Sequence, residues 1–207
     1  MSKGWTTVKE AATASFIERK SEFIGSICPV TTEEEALAFV ASVKKQYADA
    51  RHNVYAYILR DNNITRFSDD GEPHGTAGMP VLDVLRKEGV TDVAVVVTRY
   101  FGGILLGTGG LVRAYSQSAK MALDAAGKAV MQKLTVFSVR VSYADLQKIE
   151  PVLNAQSLVR LNAVYESDVR LELAILEAGY APLADALTER TGGRAIIRVE
   201  GERFACL

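Results

Sequence analysis

The stretch that most constrains this chain is Val93-Ala94-Val95-Val96-Val97-Thr98, followed at once by a glycine-rich loop. β-Branched residues at consecutive positions favour extended backbone. The lack of any polar alternation predicts that Asp92–Tyr100 is a central strand buried on both faces. The loop reads Arg99-Tyr100-Phe101-Gly102-Gly103-Ile104-Leu105-Leu106-Gly107-Thr108-Gly109-Gly110. A helix is expected from about Gly110 to Ala126, stopped by Gly127.

Other elements are arranged around this strand. Phe16, Ile17, Phe23, Ile24, Ile27 and Val30, split by Glu18-Arg19-Lys20, read as two strands and a turn. Leu37, Phe39, Val40 and Val43 recur at helical spacing over Glu33–Tyr47, behind the capping residues Thr31 and Thr32. His52–Leu59 alternates as a half-buried strand, with Val54, Ala56 and Ile58 on one face and Tyr55 and Tyr57 on the other. Ser68–Pro73 is a polar turn. A helix then starts near Gly78, because Pro80 fits only its first turn, and it ends at Gly89. The last third reads as strand Val136–Val141, helix Asp145–Gln156, strands Val159–Tyr165 and Val169–Leu176, helix Ala181–Thr191 and strand Ala195–Val199. That β-α-β-β-α-β order is ferredoxin-like. The expectation is two α/β domains, 1–134 and 135–207, built as α+β two-layer sandwiches.

Composition narrows the function classes. The formal net charge of −1 over 207 residues speaks against a strongly basic nucleic-acid coat, though not against a local basic patch. No apolar run approaches the ~18 residues of a membrane span. The N-terminus, with Lys3, Trp5, Lys9 and Glu10, has no apolar signal core. Two cysteines, Cys28 and Cys206, do not make a disulfide framework. A cytoplasmic protein is expected.

Three groups of residues bear on chemistry. The glycine loop follows a buried strand and opens a helix, a setting in which backbone amides can hold an anion. Arg66, Arg99, Tyr100, Gly102, Gly103, Gly107, Gly109, Gly110 and Arg113 are the candidate nucleic-acid or anion-binding set. The nucleotide templates do not fit: Thr108 stands where a P-loop needs lysine, and Val112 where a dinucleotide fingerprint needs its third glycine. Tight packing of the glycines is the competing reading. His52, Asp69, Asp70, Glu72 and His74 form a possible polar site. Asp69, Asp70 and Glu72 carry oxygen ligands but lack EF-hand spacing, and an Asp-stabilised turn is the favoured reading, because Asp-Gly and Glu-Pro are ordinary turn dipeptides. No nucleophile elbow or zinc spacing occurs, so no catalytic set, metal or cofactor is expected. Finally, Tyr55, Tyr57, Arg60, Arg66, Phe67, Arg99, Tyr100, Phe101, Arg113 and Tyr115 interleave aromatic and basic side chains, a pattern that can stack bases, while core packing is the competing reading for several of the aromatics.

His52-Asn53-Val54-Tyr55-Ala56-Tyr57, the Phe67–Gly78 turn and Val95–Tyr115 together resemble the IMPACT/YigZ family, in order and in register across most of residues 15–130. The resemblance implies a first domain like the second domain of ribosomal protein S-five, also found in elongation factor G. It implies a second domain similar to the ferredoxin-like last domain of that factor. Eukaryotic relatives restrain a stress-responsive initiation-factor kinase through protein partners. A translation-associated, non-catalytic role follows, with the ribosome or structured RNA as partner. A protein partner, or a small phosphorylated ligand, is the alternative. Val54 stands where many members carry cysteine, which speaks against a catalytic thiol there.

Overall fold

The computed structural model describes residues 4–206. The chain divides into two units, Trp5–Ala129 and the residues from Val130 onward together with Gly4.

The first unit contains β1 (Trp5–Val8), β2 (Ala12–Glu18), β3 (Ser21–Pro29), α1 (Glu33–Gln46), β4 (His52–Ile58), β5 (Thr65–Ser68), α2 (Gly78–Lys87), β6 (Val93–Tyr100) and α3 (Gly107–Ala126). Its five-stranded antiparallel sheet has the order β2-β3-β6-β4-β5. β6 lies at the centre, and Val93 to Val97 are fully buried. Val93, Val95 and Val97 pack toward α2 and α3, with Val54, Ala56, Phe23 and Ile27. Ala94 and Val96 face α1, with Tyr55, Tyr57 and Val40. An unbroken apolar strand is needed because both of its faces meet helices.

The Tyr55 and Tyr57 face is therefore not an open stacking surface, and core packing is the outcome for these two aromatics. Tyr57 is buried, and its hydroxyl donates to Glu33 Oε1 at 2.7 Å. α1 carries the apolar spacing that covers it. Thr32 and Glu35 form a reciprocal capping box at the start of α1.

Two further departures have physical causes. Arg66, Phe67 and Ser68 belong to an edge strand, stabilised by pairing Thr65–Ser68 with Tyr55–Ile58 and not by any local pattern. α3 begins at Gly107, three residues ahead of Gly110, on a residue with φ of +73° that only glycine tolerates well. The Glu18–Ser21 turn has both Arg19 and Lys20 at positive φ, 44° and 65°, as a two-residue hairpin requires.

The second unit comprises most of β7 (Lys128–Val141), then α4 (Tyr143–Asn154), β8 (Leu158–Tyr165), β9 (Val169–Leu176), α5 (Glu177–Thr191) and β10 (Ile196–Ala205). Its antiparallel order is β10-β7-β9-β8, the ferredoxin-like arrangement. Phe137, Val139, Val141, Leu171 and Leu173 bury one sheet face against Ile149 and Leu153 of α4 and Leu183 and Leu187 of α5. β10 runs six residues past the expected Val199, because a bulge between Val199 and Gly201 lets pairing resume. Among the described residues no helix is long and apolar enough to cross a membrane.

Gly25 is where β3 meets α3 most closely. A Cβ there would lie 2.6 Å from the Ser118 carbonyl oxygen and 3.1 Å from the Ala122 methyl. Backbone cannot yield cheaply, so Gly25→Ala is expected to destabilise the protein by about 1–3 kcal/mol. Urea unfolding of the variant measures this.

Candidate functional site

β2 and β3 turn at Arg19-Lys20, β4 begins at His52, β5 ends at Ser68 and β6 ends at Tyr100. The register puts these at one end of the sheet: Arg99 lies between Phe23 of β3 and His52 of β4, and Ser68 opposes Tyr55. The 69–77 loop and the 101–106 loop leave from this end and lead into the N-termini of α2 and α3.

The acidic loop is an organised turn. Asp69 accepts from the backbone amides of Gly75 at 2.9 Å, Gly78 at 2.8 Å and Ala77 at 3.2 Å. It thereby caps α2, whose own N-cap Ala77 offers no side-chain acceptor. Burial works to raise the Asp69 carboxyl pKa, but the three amides together with the nearby His74 hold it below its ordinary value. Asp70, at φ +45°, accepts from Lys44 Nζ and from the Asn53 amide, each at 2.7 Å. Its carbonyl oxygen lies 2.9 Å from His52 Nδ1. His74 is fully exposed, 3.8 Å from Asp69 Oδ2. The two histidines thus serve different partners. Asp69, Asp70 and Glu72 also point to separate partners, and among the described residues no three acidic, His or Cys groups are arranged to hold a metal ion.

Glu72 reaches into the core. It accepts from Arg99 Nη1 at 2.6 Å and from the Tyr115 hydroxyl at 2.7 Å, with the ion pair's side chains only 6 % and 4 % exposed. Burial, then the Glu72 carboxylate, push the Tyr115 hydroxyl far above its usual pKa, so it remains a donor. The Arg99 guanidinium lies 5.5 Å from the Phe23 ring and 5.4 Å from that of Phe101. Its Nε is buried without a partner.

These positions revise the expected anion-binding set. Arg99 is a buried structural cation rather than a flanking surface one, because Glu72, 27 residues earlier, folds back onto it. Arg66 lies opposite Tyr57, on the α1 face, 3.7 Å from Glu33. Tyr100 donates to Asp49 Oδ1 at 2.7 Å. Gly102 is a packing glycine: a Cβ would sit 1.9 Å from the Lys20 carbonyl oxygen, and its amide donates to Ser21 Oγ at 3.2 Å. Gly103 and Gly107 have φ of +85° and +73° with open space around them, and Gly109 is also uncrowded. Gly110 would press a Cβ against Leu106 at 2.9 Å.

Arg113 alone of the three arginines is exposed beside the loop. With Arg19, Glu18, Leu106, Gly110 and Gln117 it lines a cleft of about 140 Å³ between the hairpin tip and the first turns of α3. α3 has no side-chain cap at Leu106. Leu105 is 80 % exposed, with Phe101 and Ile104 about half so. Arg19 and Lys20 were legible only as a turn; their place against Gly102 depends on the β3–β6 pairing. Burial and then Glu35 raise the Cys28 thiol pKa, which disfavours its thiolate.

Residues 19–123 match the model of the Impact N-terminal domain, and residues 139–194 match a domain of unknown function, DUF1949. The chain is 39 % identical to IMPACT family member YvyE of Bacillus subtilis, over 98 % of this chain and 93 % of that one. It is 38 % identical to IMPACT family member YigZ of Escherichia coli, over 88 % and 92 %. Protein IMPACT of Rattus norvegicus is 35 % identical over 45 % of this chain and 31 % of its own. A crystal structure of a hypothetical protein superposes with a TM-score of 0.61 at 35 % identity, covering 96 % and 98 %. The chain belongs to the IMPACT family.

Glu72→Leu leaves the Arg99 charge buried and uncompensated, so it is expected to cost about 3–5 kcal/mol. Replacing the whole cluster (Glu72→Leu, Arg99→Met, Tyr115→Phe) is expected to recover most of that loss, as denaturant midpoints will read. Asp69 supplies a second measurement. Its folded pKa lies below the ordinary 3.8. Its contribution is therefore complete above the unfolded value and is lost as pH falls through the folded one. Asp69→Asn should flatten the stability–pH curve below about pH 4, as acid titration of the unfolding midpoint will show.

Proposed function

We propose that the chain is a non-catalytic, translation-associated binding protein whose first unit engages nucleic acid, on the ribosome or in structured RNA. The family resemblance supplies the translation context. The observation that carries the binding reading is the Arg19–Arg113 cleft at the uncapped start of α3. Exposed guanidiniums attract phosphate, and the free amides of the first helical turn add an acceptor-seeking surface. Gly103, Gly107 and Gly109 leave the approach to that backbone open. Lys20 extends the positive edge, and Leu105 offers an apolar tip for unpaired bases. Nothing in this reading requires the overall charge to be basic, because the cations are gathered at one sheet end.

A protein-partner reading has its own support in Phe101, Ile104 and Leu105, three exposed apolar side chains within five residues. Exposed clusters of this kind mark interaction surfaces. A small phosphorylated ligand would use the same cleft.

Co-sedimentation with ribosomes over a salt series tests the nucleic-acid reading. Wild type should bind with an affinity that falls steeply as salt rises. Arg19→Glu with Arg113→Glu should weaken binding by at least about tenfold at low salt and flatten the salt slope, with the fold intact. Absent or salt-insensitive binding overturns the reading. Capture of one partner that survives nuclease and is lost with Leu105→Asp would favour the protein surface instead.

A further inference from the structure

The outward sheet face of the second unit carries an arrangement that a purely structural sheet avoids. Arg140 of β7 stands directly opposite Arg170 of β9 in the antiparallel register. Like charges opposed in this way destabilise strand pairing. Arg198 of β10 opposes Ser138, two residues before Arg140 on the same face of β7, so a third guanidinium joins them. The register continues the row to Ile196 on one side of Arg140 and Val164 on the far side of Arg170. These residues line a cavity of about 390 Å³, within the range of small-ligand sites.

The arginines are held but not saturated. Arg140 uses its Nε on Asp168 Oδ2 at 2.6 Å, and Arg170 uses one Nη on Glu200 Oε1 at 3.2 Å. Ser138 fixes Glu200 by donating to the same oxygen at 2.5 Å. Each bond engages one of a guanidinium's five N–H donors. Arg140 and Arg170 remain 56 % and 59 % exposed, so their remaining donors are accessible. Arg198 is exposed, and its charge reaches Glu200, whose carboxyl is held below its ordinary pKa first by the Ser138 hydrogen bond and then by Arg170 and Arg198.

We propose that this face binds a ligand bearing one carboxylate and an aliphatic group. The carboxylate would be held by Arg198 with Arg140 and Arg170, and the aliphatic part would lie on Ile196 or Val164. The planar fork of guanidinium matches a carboxylate. Glu166, Asp168 and Glu200 also line the cavity and balance the three arginines in formal charge. The lining is therefore formally neutral, so it offers no excess positive charge to a phosphate dianion or a polyanionic nucleic acid, and the feature a carboxylate would use is the accessible guanidinium donors. The site is separate from the one proposed for the first unit, and either can fail alone.

Amide chemical shifts of the full chain, followed by NMR on titration, provide the test. The probes are N-acetyl-leucine, its uncharged amide and inorganic phosphate. N-acetyl-leucine should shift Ile196, Arg198 and Val164 with a Kd of about 1 mM, the weak affinity expected of so small a ligand. The amide should bind at least about tenfold more weakly, and Arg198→Ala should reduce binding by a similar factor while leaving the rest of the spectrum unchanged. Equal binding of acid and amide, stronger shifts with phosphate at the same residues, or no shifts at about ten times that concentration would overturn the proposal.

Discussion

The end of the first sheet is built around one buried charge. Arg99 is the last inward-facing position of a strand whose other positions on that face are valines, and its buried guanidinium lies over the rings of Phe23 and Phe101. A lone buried cation is strongly unfavourable, so a carboxylate must reach it. Glu72 is that carboxylate, and it can arrive only if the loop following β5 folds over the sheet end. Asp69 and Asp70 give the loop its shape by accepting backbone amides, and Tyr115 supplies a second donor from α3. One electrostatic requirement thus ties β6, the acidic loop, the start of α2 and the middle of α3 together.

This arrangement separates the charges that hold the fold from those that face solvent. Arg99 and Glu72 neutralise each other inside. Arg19, Lys20 and Arg113 remain outside, around a glycine loop whose geometry is set by Gly102 against the Lys20 carbonyl. A loop in this position is presented by a rigid scaffold, as binding loops commonly are. The second unit solves a different problem on the sheet face that carries Arg140 and Arg170. There, opposed arginines are kept in place by carboxylates at some cost to strand pairing, and the result is a set of unused donors.

Local pattern was enough wherever local chemistry decides the outcome. The valine run required a central strand, Thr32 started α1, Pro80 fixed the beginning of α2, and the ferredoxin-like order of the last third was readable from its periodicity. Pattern failed where a distant partner decides. β5 has no strand signal of its own and exists because β4 offers it an edge. The tyrosine face of β4 reads as a surface until α1 is laid across it. β10 outruns its apolar alternation because a bulge restores its pairing with β7.

The same division applies to function. The sequence by itself determined the fold class, the family and the residue types available for binding, since these follow from periodicity, turn chemistry and motif order. It did not determine which arginine faces outward. Arg99 and Arg113 flank the same loop and look equivalent in one dimension. In three dimensions one meets a carboxylate 27 residues away inside the core and the other meets water. Burial and pairing are properties of segments brought together from far apart in the chain, so only the tertiary structure could assign the first to the core and leave the second in solvent.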